Sequence, residues 1–312
     1  MSDARTVVFV GAGAMGSRMA PLVAERYRTI VVDLDAAKRE AMRDRGLEVS
    51  ERLDAVAAEA DVLVLLLPNS AAVEATVTEE LLTTLPSGAV ILDMGSSRPA
   101  STVEIAALAA RNGVGFVDAP VSGGTRKAAD GTLTTMVGGD LPTLERVRPV
   151  LSLMTEELFY LGAAGSGHTM KALNNLLSAI TMAGTTEVLR VGTAAGLDPQ
   201  TMLDVINVST GANHASKSKF SQFVLSGTYA SGFALDLMVK DLLTATDAAH
   251  HVGQSVPVAA STLEAWLAAQ SGLPAGSDHT EFARRWADAL NNRGAAAPGP
   301  APLAFKPQHQ EV

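Results

Sequence analysis

The sequence predicts an α/β protein, a doubly wound and mostly parallel sheet wrapped by helices, followed by an all-α carboxyl-terminal domain. Two observations carry this. Up to about residue 163, apolar strand-like runs alternate with amphipathic helical segments, the pattern of a parallel sheet whose crossovers are helices. After Gly165 the strand signal stops, and stretches such as 171–196 and 235–252 carry only helical periodicity. A length of 312 residues, too long for one ordinary core, agrees with two domains.

In chain order the expected strands are "TVVFV", "TIVVD", "VLVLLLP", "AVILDM", "GFVDAP", "TLTTMVGG" and "ELFYL". Gly162, Gly165 and Gly167 stand where the chain passes from the last strand into a long helix, and glycine frees the backbone to turn there. From Gly294 onward the composition is Ala, Pro and Gly without period, which suits a flexible tail.

Composition limits what the protein does. With 47% hydrophobic and 18% charged residues it reads as a well-buried globular chain, and its longest apolar run is too short to span a bilayer. A net charge of −9 argues against nucleic acid or an anionic membrane as partner, so any anionic ligand must be held locally. There is no cysteine, which excludes disulfides and thiolate chemistry. The six histidines show no metal-ligand spacing, so no metal is expected. The opening "MSDARTVVFVGAGAMG" does not read as a signal peptide, and a cytoplasmic location is expected.

In "VVFVGAGAMGSRMAPLVAE" the glycines follow a strand at once and open a helix. Gly11 makes the tight turn, Gly13 lets the backbone approach a pyrophosphate, and Gly16 permits close helix packing. Gly11, Gly13, Ala14, Met15 and Gly16 are thus the expected dinucleotide turn of a Rossmann-type sheet, with helix N–H groups facing the phosphates. Asp33 ends the next strand, 22 positions after Gly11, where an acid hydrogen-bonds ribose hydroxyls and repels a 2′-phosphate. NAD is therefore expected over NADP, although Lys38 and Arg39 stand near enough to attend a phosphate. Helix capping is the other use for Asp33, but Asp35 fits that task better. The expected division is 1–163 for the NAD-binding domain, 164–293 for a helical substrate and oligomerisation domain, and 294–312 for the tail.

Two further segments carry chemistry. In "DAPVSGGTRKAADGTL", Ser122, Gly123 and Gly124 lie just past a strand, where adjacent glycines expose N–H groups and serine adds a hydroxyl for a carboxylate; a plain turn is the alternative. In "GSGHTMKALNNLLSAITMAGTTE", Met170, Leu173, Leu176, Leu177 and Ile180 form an apolar face expected to meet a core. His168, Lys171, Asn174, Asn175 and Ser178 form the other face, and Lys171 is its one formal charge. A lysine partly desolvated beside apolar residues can exchange a proton, and Asn175, four residues on, shares its side of the helix. Snorkelling of Lys171 to solvent, with asparagines bridging helices, remains open on this pattern alone. So does an ordinary surface pair of Asp236 and Lys240.

Four blocks, "VGAGAMGSRMA", "DAPVSGG…DGTLTTMVGG", "GSGHTMKALNN" and "FALDLMVKD", in this order, resemble the β-hydroxyacid dehydrogenase family, and with "GLPAGSDHT" they span nearly all of residues 6–290. The resemblance implies NAD-dependent oxidation of a 3-hydroxy carboxylic acid to its semialdehyde, or the reverse, on a 3-hydroxyisobutyrate-like substrate. It implies Lys171 as the catalytic lysine, Ser122, Gly123 and Gly124 as the carboxylate loop, and Asn175 flanked by Asn174 as substrate ligands. Lys240 would serve substrate and nicotinamide, while Leu67, Pro68 and Ser96 would touch the cofactor. Family members associate through the helical half, which implies a homodimer or homotetramer. The chain departs from the family at Gly95–Ser96, where a serine and threonine are common, and at Lys127, a frequent glycine; both bear on substrate identity. The rival readings are an imine reductase, a reductase of another carboxylated or sulfonated aldehyde, and a non-catalytic NAD sensor.

Overall fold

The computed structural model describes residues 5–284, so the expected tail lies outside the described residues. The first half alternates β1 (Thr6–Val10), α1 (Gly16–Ala24), β2 (Arg28–Val32), α2 (Ala36–Arg43) and β3 (Glu48–Ser50). The chain then crosses back to β4 (Val62–Leu65), α3 (Ser70–Thr76), α4 (Glu79–Thr84), β5 (Val90–Asp93), α5 (Pro99–Arg111) and β6 (Gly115–Asp118). These six strands are parallel in the order β3-β2-β1-β4-β5-β6. Strand order therefore reverses between β1 and β4, the place where doubly wound sheets bind ligands at their carboxyl ends.

β1, β2, β4, β5 and β6 bury both faces, which is why they read as continuous apolar runs, whereas the short edge strand β3 is not buried. Val7 and Phe9 of β1 join Val31, Val64 and Leu92 in one layer, under Met19 and Val23 of α1. Val8 and Val10 join Ile30, Leu63 and Ile91 in the opposite layer, under Leu82 and Ile105. The helices are capped from the sequence: Asp35 accepts from Ala37 N (2.9 Å), and Asn69, Thr78 and Asp140 do the same for α3, α4 and α7 (Leu141–Leu151).

Beyond β6 come β7 (Val121–Ser122), α6 (Gly124–Asp130), β8 (Leu133–Gly139) and β9 (Thr155–Gly162), with α7 between the last two. β8 runs antiparallel to β6 and β7, and β9 lies parallel to β8. The rest is helical: α8 (Ser166–Ala194), α9 (Pro199–Asn207), a π-helical stretch Ala215–Val224, α10 (Leu235–His251) and α11 (Pro257–Gly272). Among the described residues no helix is long and apolar enough to cross a membrane.

The chain forms two compact units. One runs to Asn175 and takes in Asp241–Ser255; the other comprises Leu176–Lys240 and resumes at Val256. The second has its own core, in which Trp266 is fully buried, donates its indole N–H to Ala179 O (3.3 Å) and stacks on Phe282 at 4.4 Å.

The leading turns of α8 depart from the expectation. Met170, Leu173 and Leu177 are 39%, 42% and 61% exposed, while His168, Asn175 and Leu176 are buried beside Ala172 and Ala179. Helical period fixes which residues share a face but not which face is covered. Here buried hydrogen-bond partners draw the polar side inward.

Candidate active site

Loops at the carboxyl ends of β1, β4 and β5 pack backbone against backbone. Gly11 has φ +105°, and a side chain there would lie 2.5 Å from Leu66 O. A methyl on Gly16 would lie 2.0 Å from Gly11 O, so both glycines are required sterically. Gly13 is different: nothing stands within 4 Å of where its Cβ would be, so the turn presents bare backbone to open space. Ala14 and Met15 follow, with Met15 at the N-cap of α1, where Ser17 N and Arg18 N of the first turn donate to Gly13 O (3.1 Å) and Met15 O (2.9 Å) and so fold the glycine turn into the helix. Open backbone, helix terminus and the acid ending the next strand fit a dinucleotide pyrophosphate and ribose.

Asp35 takes the capping task, as expected, and Asp33 has partners of its own. Asp33 Oδ2 accepts from Ala12 N (2.8 Å) and Oδ1 from Asp35 N (2.9 Å), so the carboxylate itself pins the glycine turn. Lys38 Nζ lies 3.8 Å from the same Oδ2, and Arg39 donates to Asp33 O and Leu34 O, so both nearby cations are engaged around the acid. Leu67 and Pro68 follow β4, and Gly95 packs on Leu67 O, where its Cβ would lie 3.0 Å away.

Ser96, in the loop after β5, donates to Asp241 Oδ1 (2.7 Å), and the Asn175 amide donates to Asp241 Oδ2. Asp241 is 1% exposed. Asn174 in turn donates to Asn175 Oδ1 (3.3 Å). The structure thus joins Asn174, Asn175 and Ser96 through a carboxylate that sequence reasoning passed over, although it directly follows Lys240. Lys171 is half-buried on α8, one turn before Asn175. Lys240 is half-buried at the end of the second unit's first segment, and Asp236 accepts from Gln270 (2.7 Å).

Ser122 ends β7, and Gly123 and Gly124 open α6 with φ of +136° and +72°. Gly123 lies under the Lys127 side chain, where a Cβ would come within 2.9 Å of Lys127 Cβ, whereas Gly124 faces open space. Successive N–H groups there suit an anion. Among the described residues no group of three or more His, Asp or Glu is arranged to hold a metal.

A dinucleotide turn at a reversal of strand order, followed along the chain by a lysine-bearing helix whose start is bonded to the end of β6, marks a nicotinamide-dependent oxidoreductase of the doubly wound class. Comparison with known proteins narrows this. Residues 6–162 match the NAD binding domain of 6-phosphogluconate dehydrogenase, and 165–286 match the NAD-binding domain of NADP-dependent 3-hydroxyisobutyrate dehydrogenase. The chain is 38% identical over 263 residues to 2-(hydroxymethyl)glutarate dehydrogenase of Eubacterium barkeri, covering 83% of this chain and 87% of that protein. It is 34% identical over 268 residues to NAD-dependent L-serine dehydrogenase of Pseudomonas aeruginosa, covering 83% and 90%. Among solved structures, 3-hydroxyisobutyrate dehydrogenase of Mycobacterium tuberculosis with L-serine superposes with a TM-score of 0.83 at 30% identity, covering 90% of this chain and 99% of that one. The chain belongs to the β-hydroxyacid dehydrogenase family, whose chemistry is NAD-dependent oxidation of a hydroxy acid.

Proposed function

We propose that the chain oxidises the CH2OH group of a 2-substituted 3-hydroxypropanoate, of the 3-hydroxyisobutyrate kind, to the semialdehyde, or runs the reverse reduction. The observation that carries this is the leading part of α8, which sets Lys171 one turn from an Asn175 tied through buried Asp241 to Ser96. The substrate class rests on chemistry shared by the relatives' named compounds. 2-(Hydroxymethyl)glutarate, L-serine and 3-hydroxyisobutyrate each carry CH2OH on the carbon next to a carboxylate.

In this reading residues 1–163 hold NAD, with Gly11, Gly13, Ala14, Met15 and Gly16 at the pyrophosphate and Asp33 at the ribose. Leu67, Pro68, Ser96 and Lys240 complete that contact. Bound NAD supplies the acceptor for the hydride. The Lys171 amine takes the hydroxyl proton as the C–H bond breaks, and returns it in the reduction direction. Ser122, Gly123 and Gly124 hold the carboxylate by hydroxyl and N–H donors. Asn175, anchored by Asp241, has a second N–H with which to orient a substrate oxygen. Residues 164–293 form the substrate and oligomerisation domain. Exposed Met170, Leu173, Leu177, Val188 and Val191 along α8 support a homodimer or homotetramer. A cytoplasmic location belongs to the same proposal and is supported by the bacterial dehydrogenases among the relatives.

The test is NADH formation from the three acids, with NAD and NADP in parallel, by parent and Lys171→Met. Turnover with NAD on at least one acid, reduced about 10²- to 10⁴-fold by the substitution while NADH still binds, supports the reading. Undiminished turnover of Lys171→Met removes that residue from the chemistry. NADH binding with no turnover on any acid favours the sensor.

A further inference from the structure

We propose that His168 is a positioning residue for the reaction, holding the leading turn of α8 and the loops after β5 and β6 in one geometry; this rests on the reading of Lys171 as the proton-handling group. Asp93 and Asp118 end β5 and β6 and are direct neighbours in the parallel register, so two carboxylates stand side by side, both fully buried. The His168 ring, 1% exposed, reaches both: Nε2 lies 3.7 Å from Asp93 Oδ2 and Nδ1 lies 3.8 Å from Asp118 Oδ2. Nδ1 also pairs with Thr102 Oγ1 of α5 at 2.8 Å. Thr102 has a single hydroxyl proton and also lies 3.1 Å from Arg98 O. Where it donates there, the ring must be the donor to Thr102.

Each carboxylate beside the ring continues to a segment that carries a candidate site residue. Asp93 accepts from Gly95 N (2.9 Å) and Ser97 Oγ (2.8 Å), the two residues flanking Ser96. Asp118 accepts from Gly165 N (2.9 Å) and His168 N (3.0 Å), clamping the start of α8 one turn ahead of Lys171, and it stands four residues before Ser122. Backbone is shaped to admit it: a Cβ on Gly138 would lie 2.6 Å from Asp118 Oδ1, and one on Gly167 would lie 2.9 Å from Oδ2 and 2.4 Å from Met136 O. Packing alone does not call for this arrangement, since apolar residues of like volume commonly stabilise a core better than a buried cluster of ionisable groups. What the cluster adds is a fixed relation among the two loops and the leading turn of α8, and misplacing a reacting group by about 1 Å costs about a hundredfold in rate. His168 Nε2 has no hydrogen-bond partner within the described residues, so the ring is held from the Nδ1 side and meets Asp93 only across that 3.7 Å gap.

The experiment compares parent, His168→Met, His168→Asn and Thr102→Val for kcat, KM, NADH affinity and melting temperature. His168→Asn keeps an amide nitrogen where Nδ1 meets Thr102, and Thr102→Val removes the partner while leaving the ring. The expected result is a loss in kcat of about twentyfold or more for His168→Met, partial recovery in His168→Asn, and a smaller loss in Thr102→Val. KM and NADH affinity should stay within about threefold throughout. A His168→Met enzyme that is folded and keeps kcat within about threefold overturns the proposal. So does a loss in which kcat, KM and NADH affinity fall together with melting temperature and His168→Asn gives no recovery.

A second readout needs no turnover: the rate at which Lys171 is modified by trinitrobenzenesulfonate in the NADH-bound protein, followed by peptide mass. The proposal expects a change of about fivefold or more in Thr102→Val relative to surface lysines, and an unchanged rate overturns it. If the parent turns over none of the acids, the reading of Lys171 has failed, and this labelling arm decides the positioning question by itself.

Discussion

Asp33 holds the Ala12 amide with one oxygen and the Asp35 amide with the other, so the side chain suited to ribose also sets the shape of the turn beside it. Replacing it therefore removes a charged hydrogen bond to backbone as well as the proposed ribose contact. Asp33→Ala is expected to weaken NAD binding about ten- to hundredfold, with Asp33→Asn less damaging because its amide oxygen still accepts from Ala12. NAD titration of both variants checks this. Gly167 makes a prediction of another kind: its alanine variant has no room beside Met136 O and should lose about 2 kcal/mol or more in urea denaturation. The dinucleotide turn was legible because its glycines follow a strand and open a helix. Gly138 read as a residue of the expected strand "TLTTMVGG" and Gly167 as a turn residue, because what they accommodate is Asp118, a neighbour that only the folded sheet brings near. Asp93, Asp118 and Asp241 left one signal, an acid at the end of an apolar run or beside a predicted site lysine.

At the scale of elements, the long strands were legible and the short ones were not. β1 coincides with "TVVFV", and the runs "VLVLLLP" and "GFVDAP" overshoot β4 and β6 into their loops. β3 and β7, of three and two residues, carry too few side chains to show a period. The π-helical stretch also left no mark, since its wider turn depends on what packs around it. In the second unit, burial among Phe233 and Trp266, with Lys219 nearby, lowers the His279 pKa to about 4. The unfolded chain then takes up this proton near the ordinary histidine value while the folded chain refuses it. Stability is therefore full at neutral pH and falls as pH drops from roughly 6.5 to 4, by up to about 3 kcal/mol. Burial pushes neighbouring Asp278 upward, but hydrogen bonds from Thr280 and Ser231 together with nearby His279 hold it below the usual carboxylate range, so its own loss of stabilisation comes only at more acid pH. Urea melts of parent and His279→Gln across that range should show the slope in the parent and a flatter curve in the variant.

Over the whole molecule, the alternation of strands and helices was enough to read the architecture, because a doubly wound sheet repeats one simple pattern. The apolar stripe of α8 was legible as a stripe, but its exposure in the single chain was not. The proposed dimer or tetramer makes this testable: Leu177→Glu and Val191→Glu together should shift the mass measured by light scattering toward the monomer, while variants on the opposite, buried side should unfold the chain instead. The return of Asp241–Ser255 to the first unit bears on how the protein is made. Asn175 leaves the ribosome 66 positions ahead of the carboxylate it bonds, a delay of roughly three to thirteen seconds at ordinary rates of synthesis. Through that interval the nascent first unit carries its glycine turn and its lysine but not Asp241, so the link from Ser96 to Asn175 closes only after α10 has emerged.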